Sequence, residues 1–373
     1  MDKGMDIEAV RCALALHSTL HLRPRALAHA LEVLASPEGI RGGRERFTEF
    51  FAARLGTRAD WDAAEKALRW QDPTRQILVR SQGDYPANLA AVESAPPILF
   101  SWGTQSSLQH HRVGVVGSRA ATCAGREFAR ELARDLVLAG FCVVSGLARG
   151  IDAAAHRGAL DGGGVTLAVL GCGIDSVYPK RHLKVAEEIA CSGAILSELP
   201  LGARPLKHHF PLRNRIISGL SSGIVVVEAT LSSGSLITAR TALEQGREVF
   251  AVPGSPRNPF SQGCHALLKD GAHLVESASD VFFALPPHAR PVTNSASLPV
   301  AAAQPQGATA LERKVLDALG FEPAHTDALL ARTGLTMTTL SSILLRLELS
   351  GAVRTLTGGR FERTSPRGAS LGR

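Results

Sequence analysis

Aromatic side chains are scarce in this sequence: phenylalanine, tryptophan and tyrosine together make up 5% of its 373 residues. A protein that holds nucleic-acid bases mainly by stacking needs several aromatic rings along its binding surface. The scarcity therefore excludes an extensive stacking platform. The formal net charge of +7 favours a polyanionic partner, and a nucleic acid would have to be held mostly through its backbone phosphates.

Long apolar runs and clustered cysteines are also missing. No run approaches the roughly 20 apolar residues that cross a bilayer, and the first six residues lack the pattern of a signal peptide. We therefore expect a cytoplasmic protein with no membrane partner. The six cysteines form no C-x-x-C pair, and His208 and His209 lack a third ligand at a recognisable spacing, so no disulfide framework and no metal are expected.

Two fingerprints of nucleotide-binding folds are absent. The sequence contains no G-x-x-x-x-G-K-[ST] motif, which a Walker-type NTPase requires. A dinucleotide-binding turn needs G-x-G-x-x-G and an acidic residue after the second strand. Here the first turn reads Gly-Ser-Arg at residues 117–119 and the second strand ends in Ser145 and Gly146. No cofactor is expected.

What the sequence does contain is an alternation of short apolar runs with helical segments between residues 113 and about 285. Several of the runs are apolar throughout, as strands buried on both faces are. A strand, a glycine turn and a helix occur twice in succession between residues 112 and 152. This pattern predicts an α/β domain with a mostly parallel sheet.

The flanking segments predict further domains. Residues 7 to about 55 have helical periodicity, and a connector follows, which gives an N-terminal helical domain over residues 1–104 and the α/β domain over 105–285. Residues 286–308 are rich in proline, alanine and serine and predict a flexible linker. Three helical segments and a hairpin in residues 309–373 predict a winged helix.

Cations follow several strands of the predicted sheet. Because the carboxyl ends of parallel strands meet at one edge, where helix N-termini present free N–H groups, we expect a single positive groove there. Each cation taken alone is equally consistent with a solvated side chain. The predicted groove contains Arg119, Arg149, Lys180, Arg181, Arg213 and Arg215, with Gly117, Ser118, Asn214 and Ser235 supplying small or polar groups.

No catalytic residue is predicted. Asp152, His156, Asp175 and Glu228 could act as acid or base groups, but none has an evident nucleophile partner in the sequence. We therefore do not expect an enzyme.

Several motifs within the α/β region carry a resemblance to a known family. They lie at residues 117–119, 145–146 with 148–152, 171–175 with 178–179, 210–211 with 213–221, 233–239 and 252–254. On these motifs the chain closely resembles the DNA-processing protein DprA (Smf) family. One departure is His265, where the family usually has asparagine.

The resemblance implies an extended Rossmann-like fold, with a sterile-alpha-motif-like (SAM-like) N-terminal domain and, in part of the family, a C-terminal winged helix. It implies binding of single-stranded DNA, protection of incoming strands in natural transformation and loading of the RecA recombinase, without an established enzymatic activity. By motif matching, the DNA pocket carries over to Ser118, Arg119, Lys180, Phe210, Arg213, Asn214 and Arg215. A homodimer formed through residues 264–274 is also expected.

Two other functional classes compete with this interpretation. Nucleotide-phosphate hydrolases of the LOG type place glycines and an arginine at the same edge of a Rossmann-like sheet. They require P-G-G-x-G-T-x-x-E, whereas the nearest candidate here, Pro-Gly-Ser-Pro at residues 253–256, lacks the threonine and the glutamate. A winged-helix transcription factor with a ligand-sensing core is suggested by the C-terminal domain alone.

Overall fold

The computed structural model describes residues 7–20, 59–80, 83–291, 309–320 and 323–363. The chain divides into two units, Met1–Leu298 and Pro299–Arg373.

The first unit is an α/β assembly whose elements alternate along the chain. In order, they are α1 (Ile7–Leu20), α2 (Trp61–Trp70), β1 (Arg75–Val79), α3 (Ala87–Ala90), β2 (Ile98–Gly103), β3 (Arg112–Val116), α4 (Cys123–Leu138), β4 (Cys142–Ser145), α5 (Ile151–Asp161), β5 (Thr166–Val169), α6 (Leu183–Ser192), β6 (Ala194–Ser197), α7 (His209–Leu220), β7 (Gly223–Val226), α8 (Gly234–Glu244), β8 (Glu248–Ala251), α9 (Gln262–Lys269), β9 (His273–Leu274) and α10 (Ala278–Ala284). Short 3-10 helices cover Gln105–Gln109, Lys180–His182, Pro259–Ser261 and Pro287–Ala289.

These strands form one nine-stranded sheet in the order β1-β2-β6-β5-β4-β3-β7-β8-β9. The pairs β1–β2 and β2–β6 are antiparallel, and the pairs from β6 to β9 are parallel. The mostly parallel, Rossmann-like sheet predicted from the alternating pattern is confirmed. The chain reverses its direction of winding between β3 and β7, and ligands of such sheets bind outside the carboxyl ends of strands at a switch point of this kind.

The central strands are apolar because both of their faces are covered. Val113 and Val115 of β3 belong to a buried cluster with residues of α4 and α5. On the other face, Val144 and Leu167 pack with residues of α7 and α8. Because helices cover both faces of the sheet, the ends of the strands are the places where polar loops can gather.

The sheet extends further towards the N-terminus than predicted. Phe100 of β2 pairs with Ser197 of β6, so the sheet crosses the domain boundary expected at residues 104 and 105. Ile77, Ile98 and Phe100 share a core cluster with residues of α1, α2 and β5. Residues 98–103, which form β2, belong to the predicted connector, and their partner β6 lies almost a hundred residues further along the chain. The predicted SAM-like domain falls largely outside the described residues.

In its described residues, the second unit has three helices and a three-stranded sheet. Its elements are α11 (Ala310–Leu319), β10 (Ala324–His325), α12 (Thr326–Thr333), α13 (Met337–Leu349), β11 (Val353–Leu356) and β12 (Arg360–Arg363). The strand order is β10-β12-β11, and Val315, Leu329, Leu340, Ile343 and Leu347 form the core. The predicted winged helix is confirmed.

No single helix in the described ranges is long and apolar enough to cross a membrane. The pair α12 and α13 meets that test only together, across a bend of 111°.

The first unit continues past the predicted start of the linker at residue 286. Ala289 is buried, and the guanidinium of Arg290 donates to the carbonyl oxygens of Leu285 at 2.6 Å and Phe283 at 2.7 Å. Most of the predicted linker, residues 292–308, lies outside the described residues. Residues 286–291 therefore belong to the packed part of the first unit.

We expect a chain that ends at Leu285 to be less stable than one that ends at Pro291. The shorter chain loses the burial of Ala289 and the charged hydrogen bonds of Arg290, which should lower the free energy of unfolding by roughly 1–3 kcal/mol. Urea unfolding of the two truncated chains measures the difference. Equal midpoints would show that residues 286–291 contribute nothing to this unit.

Candidate functional site

A cleft of about 860 Å³ opens at the carboxyl edge of the sheet, beside the switch point between β3 and β7. Loops after β3 and β7 and the first turns of α7 and α8 form its walls. Its lining includes Gly117, Ser118, Arg119, Asp152, Tyr178, Lys207, Phe210, Arg213, Asn214, Thr230, Ser233, Gly234, Ser235 and Thr238.

The turn after β3 is fixed from two sides by backbone contacts. The N–H of Ser118 donates to the carbonyl oxygen of Glu228 at 2.7 Å, and the carbonyl oxygen of Ser118 accepts from the N–H of Ile151 at 3.2 Å. Gly150 has φ +79°, and a Cβ atom there would lie 2.1 Å from the oxygen of Ser118. A Cβ atom on Gly117 would likewise lie 2.6 Å from Ile151. The two glycines therefore allow the second turn to pack directly on the first.

Arg119 projects from this turn over an aromatic ring. Its guanidinium carbon lies 5.0 Å from the ring centroid of Phe210, and Arg119 makes no ion pair with any residue that the structure describes. The ring of Phe210 also approaches the backbone at Gly171, where a Cβ atom would come within 2.9 Å of it. The ring centroid of Tyr178 is 6.0 Å away. An exposed cation and a supported ring thus stand side by side.

Arg213 has a different environment, although it also lines the cleft. It is 4% exposed, and its Nη1 donates to the carbonyl oxygen of Val169 at 2.6 Å. Burial lowers the pKa of Arg213, and the Asp152 carboxylate opposes that shift. Burial in turn raises the pKa of Asp152, and Arg213 opposes this shift. Arg213 is therefore a countercharge in the floor of the cleft.

The other predicted cations are not brought to the cleft. Arg215 lies two residues beyond Arg213 on α7 and so faces another direction, where it bonds to the Glu198 carboxylate and to the carbonyl oxygen of Ser94. Burial raises the pKa of Glu198, against the opposing effect of Arg215. Arg149, Lys180 and Arg181 are exposed outside the lining. Of the predicted cations, the lining of this cleft therefore contains Arg119 and Arg213, and a role of the others in DNA binding stays a prediction.

The structure adds one cation that the sequence reasoning missed. Lys207 is exposed and lines the cleft. It stands three residues before Phe210, in the same segment as His208 and His209. That proximity to an aromatic residue is the signal in the sequence that points to Lys207.

The N-terminus of α8 faces the cleft. Ser233 caps it, with its Oγ accepting from the N–H of Ser235 and lying 2.7 Å from the Oγ of Ser235. Gly234 has open space where a Cβ atom would be, and the amide of Asn214 donates to the carbonyl oxygen of Gly234 at 3.4 Å. The first turn of a helix attracts anions through its free N–H groups and its dipole. Apart from the Ser233 cap, the first turn of α8 is open to the same cleft that Arg119 lines.

The N-terminus of α4, by contrast, is covered by a side chain of the protein. One carboxylate oxygen of Glu228 accepts from the N–H of Thr122 at 2.8 Å, and the other accepts from the hydroxyl of Thr122 at 2.7 Å. A Cβ atom on Gly125 would lie 2.4 Å from this carboxylate. In a dinucleotide-binding fold the helix after the first strand holds the pyrophosphate. Here Glu228 takes that place.

A buried histidine supports the second turn. Leu147 has φ +54°, and its N–H donates to Nε2 of His156 at 3.3 Å. The hydroxyl of Thr166 donates to the carbonyl oxygen of Val143 at 2.7 Å, so in its 2.8 Å contact with His156 it accepts a hydrogen bond from the Nδ1–H group. His156 is therefore neutral with the proton on Nδ1. Burial, assisted by repulsion from Arg213, lowers the pKa of His156 from 6.5 to about 3.

We expect His156 to make the fold sensitive to acid. In the unfolded chain the imidazole takes up a proton as the pH falls below 6.5, whereas the folded protein keeps it neutral down to about pH 3. The stabilisation is complete above pH 6.5 and is lost as the pH falls from 6.5 towards 3, by about 2 kcal/mol between pH 7 and pH 5. Urea unfolding at both pH values measures it. The variant His156→Gln should show a smaller loss, and an equal loss would contradict the assignment.

Comparisons with known proteins agree with this architecture. The family model of DNA recombination-mediator protein A matches residues 76–286, and that of the DprA winged helix domain matches residues 299–359. Protein Smf of Escherichia coli (strain K12) is 39% identical over 297 residues, which cover 79% of this chain and 79% of that protein. The DNA processing protein DprA of Streptococcus pneumoniae is 47% identical over 197 residues, covering 53% of this chain and 70% of the relative.

Two solved structures extend the comparison. The DprA structure from Streptococcus pneumoniae has a TM-score of 0.64 and 35% identity, and the match covers 76% of this chain and 99% of that one. The DNA processing protein A of Helicobacter pylori, whose structure concerns its single-stranded DNA binding mode, has a TM-score of 0.51 and 30% identity, with coverages of 56% and 93%. With a family model that matches more than half of the chain, these likenesses confirm the resemblance seen in the sequence motifs. The chain belongs to the DNA recombination-mediator protein A family, also called DprA or Smf.

Proposed function

We propose that this member of a DNA-processing family binds single-stranded DNA in the cleft beside β3 and β7. The observation that carries the proposal is the exposed guanidinium of Arg119 lying against the ring of Phe210. A cation next to an aromatic ring provides for both parts of a nucleotide, since phosphates bind the charge and bases stack on rings. The Helicobacter pylori relative, described by its single-stranded DNA binding mode, supports the assignment.

The phosphates would follow the cations and the free helix terminus. Arg119 and Lys207 each offer an exposed positive charge, and Ser235 stands in the first turn of α8. Gly117 and Ser118 would let the strand approach the turn closely. The buried side chain of Arg213 would contribute indirectly, by holding the floor of the cleft in place.

We expect the protein to prefer a single strand to a duplex, because of what it costs to take a base out of its stack. A base can lie on Phe210 only after it leaves its own stack, and an unpaired strand has less stacking and pairing to lose. Phosphate contacts alone do not read sequence, so we expect little dependence on base composition.

The wider role proposed for the chain is that of a recombination mediator. In this role it would protect incoming single strands and load RecA onto them during natural transformation. The family's description as a DNA recombination mediator supports a function of this type. The bound strand is the substrate that a recombinase needs, so the proposal requires no catalytic step.

The chain is also proposed to form a homodimer through α9 and β9. The strand β9 is at one edge of the sheet, and Leu274 on it is 50% exposed. An exposed strand edge with an apolar side chain invites cover by another chain. Light scattering at micromolar concentration tests it, and a monomer mass would contradict the dimer.

The decisive experiment for the function compares an oligo-dT strand with a duplex of the same length at several salt concentrations. We expect the single strand to bind more tightly and its affinity to fall as salt rises. A protein that prefers the duplex would contradict the proposal. Incubation with nucleoside monophosphates in the same series tests the alternative of a LOG-type hydrolase, for which release of the base would be the positive result.

A further inference from the structure

A second polar cleft opens at the opposite edge of the sheet, at the amino ends of β3, β7 and β8. Its volume is about 270 Å³, much smaller than that of the cleft at the carboxyl edge. Arg112, the first residue of β3, and Arg247, which directly precedes β8, contribute to its lining. None of the sequence motifs of the DNA-processing family includes these two residues.

The two guanidiniums are held by backbone carbonyl groups. Arg112 is 4% exposed, its Nε donates to the carbonyl oxygen of Leu220 at 2.8 Å, and its Nη1 donates to that of Leu108. Nη2 of Arg247 donates to the carbonyl oxygen of Asn88 at 2.8 Å and to that of Gly219 at 3.4 Å. These hydrogen bonds to the backbone therefore fix the direction of both side chains.

Neither arginine has an acidic partner among the residues that the structure describes. In the described part of the chain, no carboxylate lies within ion-pair distance of Arg112 or Arg247. Glu248 also lines the cleft, but its carboxylate accepts from Nε2 of His273 at 3.1 Å instead. Nη2 of Arg112 and Nη1 of Arg247 make no hydrogen bond to a described residue, and the Nε atom of Arg247 is buried without a partner.

The carbonyl groups at the end of α7 offset only part of this charge. Leu220 and Gly219 are its last residues, and a helix C-terminus is equivalent to about half a negative charge. Two guanidiniums remain protonated at any ordinary pH. Burial lowers the pKa of Arg112, and repulsion from Arg247 lowers it further. A buried cation such as Arg112, next to a second, half-buried cation, is normally compensated by an anion.

Histidine side chains complete the mouth of the cleft. His110 and His288 are exposed there, and His111 is half-buried. Ring N–H groups and guanidinium N–H groups are all donors, and they surround the opening from several elements. Such a set of donors matches the oxygens of a tetrahedral phosphate, which arginine binds with two parallel hydrogen bonds.

We infer that this cleft binds a phosphate group between Arg112 and Arg247, at a site separate from the DNA cleft. The phosphate is either free, as inorganic phosphate or a mononucleotide, or the terminal phosphate of a DNA strand. The small volume excludes a longer stretch of nucleic acid. The inference stands whether or not the carboxyl-edge cleft binds DNA, because it rests on other residues.

The test is calorimetric titration of the full chain with inorganic phosphate at constant ionic strength. We expect saturable binding that Arg247→Gln weakens at least tenfold. Arg240→Gln, which removes an exposed cation of α8 outside this cleft, should leave it unchanged. Wild-type protein that binds no phosphate would overturn the inference, as would binding that survives Arg247→Gln or disappears with Arg240→Gln.

A second variant guards against misfolding of Arg247→Gln. His288→Asp places a negative charge at the exposed mouth of the cleft, away from the core, and should also weaken phosphate binding. Unchanged binding in this variant would contradict the site. Comparison of oligonucleotides with a 5′ phosphate and a 5′ hydroxyl identifies the source of the phosphate. A preference for the phosphorylated strand that Arg247→Gln removes assigns it to a DNA end, and equal binding assigns it to a free phosphate or nucleotide.

Discussion

Replacement of Arg119 by glutamine is expected to weaken single-strand binding and to make it less dependent on salt. A cation that neutralises one phosphate contributes about 0.7 to the slope of log affinity against log salt on a single strand. The variant should lose that amount of slope, and different base sequences should be affected alike. Titration with oligo-dT at several salt concentrations gives both quantities. Arg240→Gln is the matched control, since Arg240 is exposed outside the cleft and is not among the predicted DNA-binding residues.

The effect of Arg119→Gln on binding also depends on Phe210, because the two side chains are in contact. Loss of a stacked base costs roughly 1–3 kcal/mol, with little change in the salt slope. The Arg119 guanidinium lies 5.0 Å from the centroid of the Phe210 ring. A base that stacks on this ring therefore has to share the ring face with the guanidinium or displace the guanidinium from it. The effects of Arg119→Gln and Phe210→Leu should therefore not add. Strict additivity, or an unchanged slope for Arg119→Gln, would remove this pair from the binding site.

Replacement of Arg213 by methionine is expected to lower the free energy of unfolding by roughly 1–3 kcal/mol, because the buried Asp152 carboxylate loses the larger of the two positive charges that stabilise it, Arg213 and Arg119. The hydrogen bond to the carbonyl oxygen of Val169 is lost as well. Arg215→Met tests a different pair, with Glu198. Arg149→Met, at an exposed position, should change stability by no more than about 0.5 kcal/mol. Urea unfolding of each variant measures these differences.

A double variant separates the charge from the packing. If Asp152 is the main reason for the loss, Asp152→Asn in the Arg213→Met background should restore part of the stability, because the buried charge disappears. A double variant that is less stable than Arg213→Met alone would show that the two residues stabilise the fold independently. Single-strand binding by any of these variants is meaningful only where the variant remains folded.

The sequence predicted the parallel part of the sheet well, for a physical reason. Strands such as β3 and β7 are buried on both faces, so their residues must be apolar and β-branched, and this leaves a local signal. The pairing of β2 with β6 left no such signal, because a strand partner is chosen by long-range packing. The boundary drawn at residue 104 failed on this point.

The site was predicted only in part. Arg119 and Phe210 stand in tight local motifs, and the cleft includes both. Lys180 follows a strand as Arg119 does, yet it is outside the lining, while Lys207 lies inside it. The direction in which a loop leaves a strand depends on contacts such as the one between Gly150 and Ser118, and neither spacing nor composition records them.

Glu228 also bears on competition between ligands in the cell. Free nucleotides carry their phosphates as one compact, highly charged group, and the helix terminus that most often receives such a group is occupied here by a carboxylate. A diphosphate at that terminus would meet like charge at hydrogen-bonding distance. A polymer does not need to place a phosphate at that helix terminus, because the weak binding of many phosphates adds up along the strand. If the cleft binds DNA as proposed, it should therefore favour a strand of several nucleotides over a free nucleotide.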